Sequence, residues 1–169
     1  MKTSSFSPFK HYNTVIIAGM ASASLLITAL ILEYSAGLIS CTLCNAQRWP
    51  HAIVLGLCLI ASLPILPNRR RLLLGIISLA FATTALIGVY HASIEYGWIS
   101  GPTGCSGNIT GNSVEEIRRQ LLAQPLARCD QVAWSLFGIS LAGYNFLISG
   151  VLSLICGFSS LCKLSKTTL

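Results

Sequence analysis

Long charge-free apolar runs alternate along this chain with short polar segments. Thr14 to Leu32 carries no charge over 19 residues, which as a helix would extend about 28 Å, close to the hydrocarbon thickness of a bilayer. A second apolar run goes from Trp49 to about Leu66, with Pro64 and Pro67 ending it. Pro50 is expected in its first turn, where the missing N–H has no helical partner to lose. Leu72 to Tyr90 is again 19 residues without a charge. Val132 to Cys162 lacks charge for 31 residues, about 46 Å as helix and too long for one upright span. It divides into Val132 to about Leu141, expected to lie along a membrane surface with Trp134 and Phe137, and a fourth span from about Gly143 to Leu161. The predicted fold is all-α: a four-transmembrane-helix bundle forming one integral membrane domain over 1–169. Its spans are 14–32, 49–66, 72–90 and 143–161, with loops at 33–48 and, between spans three and four, 91–142.

The first run is longer than the 7 to 15 apolar residues usual in a signal peptide, which favours a retained span. In the long loop, Ser113-Val114-Glu115-Glu116 fits a capping box, with Ser113 as N-cap and Glu116 three residues on. Val114, Ile117, Leu121 and Leu122 then share roughly one face of a short helix that ends before Pro125. No internal repeat or low-complexity segment is present.

Composition agrees with a membrane chain: 53% of residues are apolar and 9% charged, with a mean hydropathy of +0.70, where a soluble domain carries about 25% charged residues. The net charge of +6 is a matter of distribution. Four spans put both termini on one side, together with Lys2, Lys10, Arg69, Arg70, Arg71, Lys163 and Lys166 and no acid. The other side has Arg48, Arg118, Arg119 and Arg128 and all five acids. That asymmetry predicts cytoplasmic termini. It also assigns the basic excess to topology and anionic lipid rather than to nucleic acid. Tyr34, Trp49, Tyr90, Tyr96, Trp98 and Trp134 gather toward the outer side as an interfacial belt would.

This topology sorts the seven cysteines. Cys41, Cys44, Cys105 and Cys129 fall at or beyond the outer surface, Cys58 and Cys156 inside spans, and Cys162 at an inner end. An even number outside suits an oxidising compartment, and buried free cysteines behave as small apolar residues. Four cysteines allow three pairings, of which adjacency favours Cys41–Cys44 and Cys105–Cys129. A Cys-X-X-Cys pair closes a ring typical of dithiol redox units. The other pair is 24 positions apart, and spacing alone leaves open whether it is redox-active or a staple contributing roughly 3 kcal/mol.

Cys44 is expected at the entrance to the second span, where backbone N–H groups and the helix dipole favour a thiolate. Arg48 follows at i+4 on the same face. A cation on the outer side of a lipid boundary beside two thiols implies a partner charge rather than a snorkelling anchor. A dithiol at that depth can pass electrons to a lipid-soluble acceptor, and a quinone, with apolar body and polar oxygens, fits. His91, just past the third span, is a second candidate contact or an interfacial histidine beside Tyr90. Glu95, Asp130 and Glu115-Glu116 are expected to be solvated loop charges. No Ser-His-Asp set, phosphate loop or metal-type His pair is present. Zinc on the four outer cysteines would call for a second close pair, so no metal is expected.

Taken together, Gly37-Leu38, Cys41-Thr42-Leu43-Cys44 with Gln47-Arg48, Tyr90-His91, Glu95-Tyr96-Gly97, Pro102 and Cys105 form an ordered set. It continues with Cys129-Asp130, Trp134, Leu136-Phe137-Gly138-Ile139-Ser140 and Asn145. With this set the chain resembles the bacterial disulfide bond formation protein B family, DsbB, over nearly its whole length. A lone Cys-X-X-Cys is a weak signal; the ordered set on four spans is specific. The resemblance implies a quinone-dependent protein-disulfide oxidoreductase of the bacterial inner membrane, with redox loops in the periplasm. Its partner would be a periplasmic thioredoxin-like thiol oxidase, DsbA-like, which attacks Cys105 of a Cys105–Cys129 disulfide. Cys129 would exchange with Cys41 and free Cys44, which donates to ubiquinone or menaquinone with support from Arg48. A paralogue serving one dedicated oxidase, or a non-enzymatic scaffold stapled by its outer cysteines, are the alternatives. Ser40 stands where members often carry proline, and Asn45 where many have an apolar residue; both touch the turn and the polarity around Cys44.

Overall fold

The apolar runs fold into helices that extend beyond them. In the computed structural model, which describes residues 8–63, 69–102, 113–123 and 127–162, α1 is Pro8–Tyr34, α2 Thr42–Ser62, α3 Arg70–Glu95, α4 Val114–Ala123 and α5 Leu141–Leu161. Between α4 and α5 a small antiparallel hairpin pairs β1 (Ser135–Leu136) with β2 (Ile139–Ser140). Lys2, Pro64, Pro67, Asn68, Cys105, Pro125, Lys163 and Lys166 lie outside the described residues.

His11–Tyr34, Arg70–Glu95 and Leu141–Leu161 are each long and apolar enough to cross a membrane. α2 is 21 residues long, but its first turns carry Asn45, Gln47, Arg48 and His51, which dilute its hydropathy. Side chains such as Leu79, Leu86, Leu154 and Phe158 point outward and are exposed, as lipid-facing positions are in a bundle stripped of its bilayer.

The core runs along one stripe of each helix. On α2 it is Gln47, His51, Val54, Cys58 and Ala61; on α3 it is Leu74, Ile77, Phe81, Thr84, Gly88 and His91. These alternate steps of three and four, the spacing of one helical face. Val15 and Ala18 of α1 and Leu152 and Cys156 of α5 complete the apolar half. α3 and α5 approach closely because small residues face each other, the usual device where lipid supplies no hydrophobic drive. A Cβ on Gly88 would meet Ala142 O and Phe146 N at 3.0 Å. Ser78 and Ser153 tie the pair further, each hydroxyl donating to the other's carbonyl at 2.8 and 2.9 Å.

The arginines that open α3 also serve the helix ends. Arg71 donates to the carbonyls of Ser160 and Leu161 at the end of α5, and Arg70 Nε to Ala61 O at 3.0 Å. These are carbonyls that a helix leaves without partners in its last turn.

Three expectations are corrected. Pro50 is not in a first turn: α2 begins at Thr42, so the proline sits inside the helix, where it leaves the carbonyl four residues back without its usual donor. Val132 to Leu141 is not one segment lying flat. It contains the hairpin, turned by Phe137 and Gly138 at φ 50° and 78°, the pair of positive φ values that suits a two-residue hairpin turn. The third is Glu95, which is no solvated loop charge: α3 continues through it, and its side chain is 5% exposed. The capping box is present as expected, with the Glu116 N–H donating to Ser113 Oγ at 3.3 Å.

Candidate active site

Cys41 ends the linker after α1 and is the N-cap of α2. Its extended backbone turns the sulfur back over the helix, where it accepts the Cys44 N–H at 3.2 Å. The helix terminus therefore acts on the sulfur of the first cysteine directly. Cys44 lies one turn on, and the two Sγ atoms are 2.7 Å apart. Both precede the second apolar run, which begins at Trp49. The Cys44 thiol is held below its ordinary range, chiefly because the Cys41 S–H donates to its thiolate. The Cys41 thiol is pushed up to about 12 by that same bond and by burial. One proton is thus shared, and Cys44 is the sulfur that ionises first.

Cys129 arrives from the loop before the hairpin. It is 0% exposed and packs in one cluster with Cys41, with Leu43, Cys44 and Ala127 against it. Arg128 and Asp130 on either side clamp the turn with two hydrogen bonds of 2.9 and 2.8 Å. Three of the four predicted cysteines are therefore brought together; Cys105 lies outside the described residues.

His91 joins them from α3. It is 2% exposed, its Nε2 lies 3.5 Å from Cys41 Sγ, and its ring also bonds to the main chain of Cys129. A chain of side chains sets its tautomer. Ser22 Oγ donates to His51 Nδ1 at 3.1 Å, and His51 Nε2 to Asn145 Oδ1 at 2.9 Å. Asn145 Nδ2 donates to Gln47 Oε1 at 2.6 Å and to Thr84 Oγ1 at 3.0 Å. Gln47 Nε2 is then left to donate to His91 Nδ1 at 2.9 Å, which puts the imidazole proton on Nε2, toward the Cys41 sulfur. Cys41 Sγ, Cys44 Sγ and a His91 ring nitrogen lie within 4.8 Å of one another, three of the four positions of a tetrahedral zinc site.

Arg48 does not reach for the thiols. Its guanidinium pairs with Glu33 at the end of α1 and donates to Asn45 Oδ1 at 3.3 Å. Ser40 Oγ donates to the other Glu33 oxygen at 2.9 Å. The two positions that depart from the family pattern, Ser40 and Asn45, are thus both spent on the Arg48–Glu33 pair.

Beside the thiols opens a cavity of about 360 Å³. Leu25, Ala29, Leu32, Trp134 and Ile148 give it apolar walls, and Cys44, Arg48, His51, His91 and Glu95 its polar points. An apolar chamber with a few convergent polar groups is the usual form of a small-molecule site. Sequence reasoning passed over Glu33 and His51, took Glu95 for a solvated loop charge, and had Gln47 and Asn145 only through resemblance. The helical spacing of Gln47, His51 and Val54, and of Gly88, His91 and Glu95, was the available signal.

Comparisons with known proteins converge on one family. Residues 12–159 match the family described as Disulfide bond formation protein DsbB. A Pseudomonas syringae pv. syringae protein named Disulfide bond formation protein B 2 is 31% identical over 145 residues, 82% of each chain. A Rickettsia prowazekii protein, Uncharacterized protein RP370, is 29% identical over 152 residues, 88% of this chain and 86% of its own. No solved structure matches.

Proposed function

Since the chain belongs to the disulfide bond formation protein DsbB family, we propose that it reoxidises a periplasmic DsbA-like dithiol oxidase and passes the electrons to a membrane quinone. The observation that carries this reading is the shared position of Cys41. Cys41 packs with Cys129 in one buried cluster, its sulfur lies 2.7 Å from that of Cys44, and Cys44 borders the apolar cavity.

In this reading the partner's thiolate attacks Cys105 of the Cys105–Cys129 disulfide, and Cys129 leaves as a thiolate. Cys129 then attacks Cys41 of the Cys41–Cys44 disulfide, and Cys44 leaves. The site favours that leaving group, since Cys44 is the sulfur of the pair that ionises first. The partner's second thiolate closes its own disulfide and frees Cys105, which re-forms the bond to Cys129 and releases Cys41. His91 Nε2–H supports the Cys41 sulfur as it leaves. Closure of Cys41–Cys44 then gives up two electrons. A quinone in the cavity supplies the acceptor for them and for two protons. The cavity's size, its apolar walls and its few polar lining groups fit a quinone head and the start of its tail. Arg48 and His91 are the residues proposed to hold the ring oxygens.

Four spans, inner-membrane placement, cytoplasmic termini and periplasmic redox loops complete the proposal. Arg69, Arg70 and Arg71 at the opposite end of the bundle from the thiols support that orientation. The test mixes the purified protein with a reduced thioredoxin-like dithiol protein and a soluble quinone, and follows quinone absorbance. Catalytic quinone reduction is expected, lost in Cys44→Ser. Full turnover by Cys44→Ser would overturn the mechanism, and outer cysteines that stay blocked to thiol labelling after quinone depletion would indicate staples.

A further inference from the structure

Glu95 is the last residue of α3 and lines the cavity, with its side chain 5% exposed. The Ser140 hydroxyl at the N-cap of α5 donates to its carboxyl, and Ser140 is itself fixed, accepting the Gly143 N–H at 3.2 Å and giving its own N–H to Tyr96 Oη at 3.0 Å. Glu95 Oε1 lies 3.8 Å from His91 Nε2. Glu95 Oε2 is buried with no hydrogen-bond partner. A buried oxygen is rarely left so, and on a side chain that lines a chamber it points to a ligand atom as the missing partner.

We infer that Glu95 is a catalytic acid of this site, giving a proton through Oε2 to the ring oxygen of the acceptor as the Cys41–Cys44 disulfide closes. The inference rests on the quinone reading above. The electrons and protons balance without a further reactant. A Cys41 thiol, a Cys44 thiolate and a Glu95 carboxylic acid go in; a disulfide, a Glu95 carboxylate and an acceptor reduced by two electrons and two protons come out. One proton is that of Glu95 and the other is the one Cys41 loses as its sulfur joins Cys44. Water from the outer face, where Tyr96, Gly97 and Trp98 are exposed, returns the proton to Glu95. The neutral acid donates to a carbonyl oxygen of the oxidised acceptor, and the carboxylate accepts from a hydroxyl of the reduced one, so one group serves both states.

The titratable and charged groups around Glu95 are His91 on its own helix, Cys41 and Cys44 from the head of α2, and Cys129 from the loop. Arg48 and Glu33 offset each other across the cavity.

The experiment compares the full-length protein with Glu95→Gln and Glu95→Asp, using a short-chain benzoquinone and a reduced thioredoxin-like dithiol protein. For Glu95→Gln, benzoquinone binding read by quenching of tryptophan fluorescence should stay within about threefold of the parent, while its reduction slows about 100-fold. Thiol–disulfide exchange with the dithiol protein should be retained. The infrared signal of a carboxylic acid losing its proton on reduction should vanish in Glu95→Gln. Glu95→Asp should restore part of the rate and the parent's pH profile. Reduction by Glu95→Gln at the parental rate and pH profile would overturn the inference and leave the proposed function standing. Loss of exchange and reduction together, not rescued by Glu95→Asp, would also overturn it, by showing a structural role. Failure of the parent protein to reduce benzoquinone would sink the proposed function, and this inference with it.

Discussion

The two halves of the bundle are built on the same buried stripes yet treat cysteine in opposite ways. Followed from the end that carries Arg70 and Arg71, α2 runs Ala61, Cys58, Val54 and then His51 and Gln47; α3 runs Leu74, Ile77, Phe81 and then Thr84 and His91; α5, past a buried Ser159, runs Cys156, Leu152 and then Ser149 and Asn145. The change from apolar to polar falls at one level, marked by the edge of the His51 ring against Phe81 at 5.9 Å between centroids. Below it, Cys58 and Cys156 sit among Val15, Val54, Leu74 and Ile77. Above it, Cys41 and Cys44 have each other, a helix N-terminus, an imidazole and Cys129. Cys41 is as buried as Cys58 and Cys156, and Cys44 half-buried; what differs most is the supply of donors and acceptors. A thiol in a dry apolar cluster is only volume, whereas a thiol among fixed donors has a preferred charge state.

The largest expected effect breaks the upper half directly. Cys41→Ser or Cys44→Ser should lower quinone-coupled turnover at least ~1000-fold, since a covalent step is lost rather than weakened; Cys105→Ser and Cys129→Ser should do the same, all measured by quinone absorbance. Next in size is the charge ordering of the pair. Cys44 is held below the ordinary thiol range and Cys41 at about 12. Lowering the pH through the Cys44 value protonates it and should slow alkylation of the reduced protein. Above that value Cys44 should label quickly, while Cys41, held up toward about 12 as long as the Cys44 thiolate stays unmodified, should label only after it. In Cys44→Ser the neighbour that raises Cys41 is gone, so Cys41 labelling should move to lower pH, as followed by mass spectrometry. A wild-type protein whose two thiols label together would contradict the shared proton.

Arg48→Gln should act more mildly, raising the KM for quinone about tenfold with a smaller change in kcat, because Arg48 lines the cavity but is already committed to Glu33. An equal loss of exchange with the dithiol partner would place Arg48 in the thiol chemistry instead. Gly88→Ala tests what holds the halves in register. Its Cβ would press on the backbone of α5 at 3.0 Å and should destabilise the bundle by about 1–3 kcal/mol, read as a lower Tm in detergent. The smallest effects are expected below the boundary. Cys58→Ala and Cys156→Ala should cost about 1 kcal/mol of stability or less and leave turnover within about twofold; a large loss of activity from either would remove the contrast between the halves.

Much of this was legible in the chain itself. The apolar runs placed the helices, and the spacing of Cys41 and Cys44 put their two sulfurs within one turn of each other. The ends of the helices were harder. Helix α3 was expected to stop at Tyr90 because His91 and Glu95 look like loop residues, yet both continue the step of three and four that begins at Leu74. A polar residue on a buried stripe cannot be told from a polar residue past the end of a helix until something is seen to satisfy it. The hairpin at Ser135 to Ser140 was hidden for another reason: two residue pairs are too short for an alternating pattern, and the Phe137-Gly138 turn is not among the strongest hairpin signals.

What the sequence determined on its own was local and periodic: which segments are apolar enough for lipid, where a helix is capped by Ser113, and that Cys41 and Cys44 stand one turn apart with Arg48 beyond them. Only the tertiary structure decided which side chains meet. Asn145 reaches Gln47 across 98 positions and Gln47 reaches His91 across 44. No periodicity encodes such pairings, because they depend on how three stripes are rotated toward one another and how closely Gly88 lets α3 and α5 approach. The same packing turned Arg48 toward Glu33 and brought Glu95 into the cavity with one oxygen unpartnered. Spacing along a chain fixes neighbours on one helix; only the packing of helices fixes the partners of a buried polar group.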